Sequence, residues 1–167
     1  MTNEEVLRRA RAARRRYGTR DPFALAAAAG VRIRYCDFTS LRGLYENILG
    51  NAFIALQADR PDPLARTVLM HELGHHVLHR ELAASRSFRV LADMPMTDRP
   101  EEEANLFAAD MLVSDHALAP LLAAHMTEDA AAAELAVCPE LVSLKLEVLA
   151  RRGLRVNAAY PAKRFRL

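Results

Sequence analysis

His71-Glu72-Leu73-Gly74-His75 places two imidazoles four residues apart, with a carboxylate directly after the first. On an α-helix, positions i and i+4 stack on one face about 5–6 Å apart, so both rings reach a single cation. Glu72 lies about a third of a turn around the helix, where its carboxylate meets a water on that ion without ligating the metal. These residue types at this spacing read as a zinc-hydrolase core. Gly74 leaves room for another helix to pack close. Zinc at a catalytic site takes three protein ligands and keeps a fourth position for water, so the motif calls for one more donor on a neighbouring element.

Glu101-Glu102-Glu103-Ala104-Asn105 offers three glutamates at the start of a later helix. Glu101 and Asn105 are an i, i+4 pair and face the same way, which makes Glu101 a candidate third ligand. Asn105 is then placed to hydrogen-bond a ligating histidine from behind and set its tautomer. Glu102 and Glu103 point elsewhere around the helix. A purely structural origin for Glu101 stands beside this: Asp98 makes an N-cap pair with it, and acids in a first turn are favoured by the helix dipole without any metal. His79 extends the row of His71 and His75, but a third turn lies too far along a straight helix to share one ion. His76 faces a different side. His116 and His125 are open both to a role in the transition state and to being ordinary helix residues.

The elements that must position these groups follow from periodicity and punctuation. Val6, Ala10, Ala13 and Tyr17 recur at helical spacing, leaving Arg8, Arg11, Arg14 and Arg15 on the solvent side. Pro22 to Ala29 reads as a short helix capped by Asp21 and stopped by Gly30. Val31 to Tyr35 alternates as a half-buried strand, and Leu44 to Ile48 with Ala52 to Leu56 reads as a hairpin turning at Gly50-Asn51. The histidine motif sits in the middle of a helix whose apolar face carries Leu64, Val68, Leu69, Leu73, Val77 and Leu78. Residues 81–99 read as a loop over the site. Helical signal returns at Glu101 to Val113, Asp115 to His125, Glu128 to Ala136 and Pro139 to Arg152. Sheet first and helices later predicts an α+β fold, a small antiparallel sheet packed on the motif-bearing helix with a helical C-terminal half.

The chain has 167 residues, just over half of them apolar and about a quarter charged, which suits one globular domain. Residues 1–30 form its N-terminal helices, 31–126 its catalytic core and 127–167 its C-terminal helical region. No run of eighteen apolar residues occurs, and Met1 to Glu5 leads straight into an Arg-rich segment, so a cytoplasmic protein without a membrane partner is expected. Cys36 and Cys138 lie far apart without metal-type spacing and read as buried thiols. Basic residues crowd both ends, among them Arg151, Arg152, Arg155, Lys163, Arg164 and Arg166. The N-terminal arginines are accounted for as a solvated helix face, and nucleic-acid contact is not expected.

The two motifs together resemble the ImmA/IrrE metallopeptidases. His71-Glu-Leu-Gly-His75 is followed by Glu101-Glu-Glu-Ala-Asn-Leu-Phe-Ala-Ala-Asp-Met-Leu-Val113, similar to that family's second motif, Glu-x-x-Ala-Asn-x-Phe-Ala-Ala-x-Leu-Leu-Met-Pro. The likeness runs from Arg42 to Val113 and takes in the Gly43-Leu44-Tyr45 segment. Val113 and Ser114 stand where the family has Met and Pro, at a helix junction rather than at a ligand. The resemblance implies a thermolysin-like (zincin, gluzincin) helix pair, one Zn²⁺ held by His71, His75 and Glu101, and site-specific cleavage of a partner repressor, a helix-turn-helix protein being the candidate.

The chemistry this predicts is peptide hydrolysis, with zinc acidifying a water, Glu72 taking its proton and handing it to the leaving nitrogen. Tyr45 is a candidate oxyanion donor, and Ala52 to Gln57 a candidate edge strand for pairing with the substrate backbone. Two other classes are open: a non-proteolytic regulator that binds a transcription factor, and a DNA-binding helix-turn-helix over Thr127 to Arg152. The latter's recognition helix would carry Ser143, Lys145 and Glu147, few base-reading groups for one face.

Overall fold

The computed structural model describes residues 1–39, 41–58, 62–81, 88–89 and 99–153. Helix α1 (Asn3–Tyr17) starts at Thr2, whose hydroxyl accepts from Glu5 N, and turns Val6, Leu7, Ala10 and Ala13 inward. Its arginines 8, 11 and 15 stay exposed. Helix α2 (Pro22–Ala29) is capped by Asp21, which accepts from Ala24 N at 2.9 Å, with proline at its first position.

Strands β1 (Arg32–Cys36), β2 (Gly43–Ile48), β3 (Asn51–Gln57) and the two-residue β4 (Phe88–Arg89) form one sheet in the order β1-β3-β2-β4. The hairpin β2–β3 is present, but its turn is Leu49-Gly50, one residue earlier than expected, with φ of 50° and 82°. Both central residues at positive φ match the twist of paired strands. The fold class is α+β as expected, with one correction: the sheet is mixed, because β1 pairs β3 in parallel, Arg32 opposite Phe53 through Cys36 opposite Gln57. The chain leaving β1 passes over the position of β3 before β2 and β3 fold back as a hairpin, so β3 enters between β2 and β1 pointing the same way as β1.

This order also overturns Ala52 to Gln57 as a free edge for substrate. β3 is central, hydrogen-bonded on both sides, with Ala52, Ile54 and Leu56 buried beneath it. The exposed strand is β1, where Arg32, Arg34 and Tyr35 face solvent.

Helix α3 (Asp62–Leu78) lies against the sheet and buries Leu69, Met70, Leu73 and Leu78. Helix α4 (Arg99–Leu112) packs along it and is buried almost continuously from Glu103 to Met111. Helices α5 (Asp115–Ala123), α6 (Glu128–Leu135) and α7 (Pro139–Arg151) complete the C-terminal half. Ser114, which stands where the resembling family has proline, caps α5 by accepting from Ala117 N at 3.0 Å. The thiols Cys36 and Cys138 are half-buried rather than buried, the first ending an edge strand and the second preceding α7. No single helix is long and apolar enough to cross a membrane. The segment read as a loop over the site lies outside the described residues, apart from 81, 88–89 and 99, and so does Asp98.

Candidate metal centre

Helices α3 and α4 approach closely because Gly74 faces Ala104: a Cβ at position 74 would lie 3.1–3.3 Å from the Cα, carbonyl oxygen and Cβ of Ala104. That approach brings Glu101, in the first turn of α4, over the histidine face of α3. Glu101 Oε2 lies 3.1 Å from His71 Nε2, Glu101 Oε1 lies 3.3 Å from His75 Nε2, and the two Nε2 atoms are 3.1 Å apart. A tetrahedral ion with bonds of about 2.0–2.1 Å separates its ligand atoms by about 3.3–3.4 Å. The triangle therefore has nearly the edge lengths that three ligands of such an ion would need.

The donor chemistry agrees with the spacing. Asn105 Oδ1 lies 2.7 Å from His71 Nδ1; with the amide oxygen accepting, that nitrogen carries the hydrogen and Nε2 presents a lone pair. Two imidazole lone pairs converging at 3.1 Å repel unless a cation or proton lies between them, so the residues fit a divalent metal. Among the described residues this is the cluster of histidine, cysteine and carboxylate groups that could hold one.

Burial sets the electrostatics. Glu101 loses hydration, yet in the metal-free protein its contacts with the His71 and His75 rings outweigh that loss and hold its carboxyl well below the usual range. For His71, burial disfavours the charged ring, but the Glu101 hydrogen bond and the charges of Glu72 and Glu101 raise its pKa overall. Burial pushes His75 down to about 4.

Glu72 is 1% exposed, and its Oε2 has no hydrogen-bond partner among the described residues. Burial pushes this carboxyl up to about 7, opposed by His71 and reinforced by Glu101. It is the group placed to exchange a proton near neutrality. Strand β2 closes over it through Gly43, where a Cβ would meet Val68 Cγ1 at 2.5 Å and Glu72 Oε1 at 2.8 Å.

The structure places Tyr45 differently from an oxyanion donor. It is fully buried, and its hydroxyl lies 3.0 Å from His76 Nδ1, the two rings meeting edge to face. His116 and His125 are exposed. Lys145, a proposed base-reading residue of the C-terminal helices, is buried and ion-paired to Asp110 at 2.7 Å and Asp115 at 2.6 Å. Two buried residues were not assigned a role from sequence, His79 and Glu103, whose side chains meet at 2.9 Å behind His75. The signal for His79 was its i+4 step from His75; for Glu103, sequence carries no cue to its partner.

An α+β unit presenting two helical histidines, a buried glutamate between them and a glutamate from a second helix has a metallopeptidase-like site. The chain belongs to the M78 peptidase family, the IrrE N-terminal-like domains, whose model matches residues 26–147. That span carries both site helices. The chain is also similar to the uncharacterized immunity region protein 2 of Bacillus phage phi105, 27% identical over 132 residues, covering 78% of this chain and 82% of that protein.

Proposed function

We propose that this protein is a zinc-dependent endopeptidase that cleaves a repressor-type regulatory protein at a specific site. The observation that carries the reading is the converging triangle of His71 Nε2, His75 Nε2 and Glu101 carboxylate beside the buried Glu72, one of whose oxygens is left without a partner among the described residues. The regulatory half is supported by the relative named for a phage immunity region.

His71, His75 and Glu101 hold the ion, which when bound supplies Lewis acidity toward a peptide carbonyl and a water molecule. Asn105 keeps His71 in the tautomer that presents Nε2. Glu72 accepts the proton of the attacking water and delivers it to the amide nitrogen as the C–N bond breaks, its burial favouring the protonated form between the two transfers. Because its hydroxyl is engaged by His76, Tyr45 is given no part in these steps.

The test is incubation of the zinc-loaded protein with a purified repressor encoded beside it. Discrete fragments are expected, lost on chelation and reduced about 10²–10⁴-fold in rate by Glu72→Gln. That variant should still take up one equivalent of zinc. A repressor left intact by the unaltered protein sinks the endopeptidase reading, and tight binding without cleavage would favour a non-proteolytic regulator.

A further inference from the structure

We propose that His79 and Glu103 are positioning residues that lock the second metal-binding histidine, His75, in the tautomer that presents Nε2 to the cation. The proposal rests on the metal-centre reading above.

The geometry runs in one direction. Glu103 Oε1 faces two cationic groups, the Met1 ammonium and the Arg99 guanidinium, the latter at 3.2 Å. Its other oxygen, Oε2, lies 2.9 Å from His79 Nε2. A carboxylate between cations is an acceptor only, so His79 Nε2 carries the hydrogen and donates it. His79 Nδ1 is then a bare lone pair. It sits 3.2 Å from His75 Nδ1. Two facing ring nitrogens bond only if one donates, so His75 Nδ1 carries its hydrogen toward His79, and His75 Nε2 is left as a lone pair facing His71 and Glu101.

The two metal-facing imidazoles are thus set by different devices. Asn105 on α4 sets His71 directly, whereas Glu103, two residues earlier on the same helix, sets His75 through an intervening ring. All five side chains are buried, so water does not compete for these bonds. His79 therefore lies behind the site, one turn too far to ligate yet in line to orient the ligand before it.

Hydrogen-bond partners behind metal ligands typically govern about 10–100-fold in metal affinity. The experiment uses the full chain and zinc alone, with affinity read by chelator competition at fixed pH, and the ligand-field spectrum of the cobalt-loaded protein as a second readout. His79→Leu removes the acceptor. His79→Asn, nearly the same size and shape, returns a carbonyl oxygen close to the lost Nδ1. The expected result is a 10–100-fold weaker affinity and an altered cobalt spectrum for His79→Leu, with His79→Asn within about threefold of the unaltered protein. Equal affinities for His79→Leu and the unaltered protein overturn the proposal, since they leave His79 a packing role only. A loss in His79→Asn as large as in His79→Leu also overturns it and points to direct ligation. If His79→Leu does not fold, Glu103→Leu, which keeps both rings, is expected to weaken zinc binding severalfold, and no change there overturns the relay. Failure of the unaltered protein to bind zinc sinks the metal-centre reading itself and is distinct from these outcomes.

Discussion

Glu72 carries the least comfortable environment among the described side chains, a carboxyl removed from water with one oxygen unbonded. Its folded pKa of about 7 lies above the ordinary 4.5, so between those values the unfolded chain gives up a proton that the folded chain keeps. This group's contribution to the stability of the metal-free protein is therefore full below 4.5 and declines as pH rises to 7, by about 3 kcal/mol for a shift of this size. Glu72→Gln should flatten that decline, checked by denaturant unfolding of metal-free protein at several pH values; equal slopes in both proteins would show that this carboxyl is not desolvated. The motif made Glu72 visible in the sequence, because five consecutive residues define it. Its burial was not visible, since part of the cover comes from Gly43 on strand β2.

At the scale of elements, the site depends on how near α3 and α4 lie, and Gly74 sets that distance. Ala104 opposes it with backbone atoms, which cannot rotate away. Gly74→Ala should cost about 1–3 kcal/mol through overpacking. It should also weaken metal binding, because Glu101 moves with α4 while His71 and His75 stay with α3. Thermal unfolding and a metal titration measure the two effects, and a variant matching the parent in both would refute the close-approach account. The start of α2 was readable from Asp21 because capping is a local hydrogen bond, and Thr2 and Ser114 cap α1 and α5 in the same way. Strand order was not: alternation in Ala52–Leu56 assigns faces, whereas the neighbours of β3 are decided by chain segments elsewhere.

Over the whole molecule, α4 is held at its far end by both termini-proximal regions. Arg20, just before α2, donates to the carbonyl oxygens of Asp110 and Met111 at 2.8 and 2.9 Å. From α7, Lys145 reaches Asp110 and Asp115. The helix that bears Glu101 is thereby anchored to segments more than thirty residues away on either side. Removing one member of a buried pair strands the other, so Lys145→Ala should destabilise by about 3–5 kcal/mol. The double change Lys145→Met with Asp110→Leu should recover much of that loss, since no uncompensated buried charge is left and Asp115 is solvent-exposed. Chemical denaturation of the two variants is the check, and a Lys145→Ala protein as stable as the parent would remove the anchor. The same inward turn takes Lys145 away from any surface that could read DNA.

What the linear order of residues determined on its own was the histidine pair with Glu72 between them, the candidate Glu101–Asn105 pair and the helices that bear them. His71, His75 and the Glu101–Asn105 pair are related by steps of four, and a helix converts such steps into a shared face without help from the rest of the chain. Folding in three dimensions alone decided that β1 runs beside β3, that Tyr45 spends its hydroxyl on His76, that Glu103 meets His79 and that Lys145 points inward. Each of these joins residues far apart in the chain, where no local period links the partners and only packing of whole elements brings them into reach.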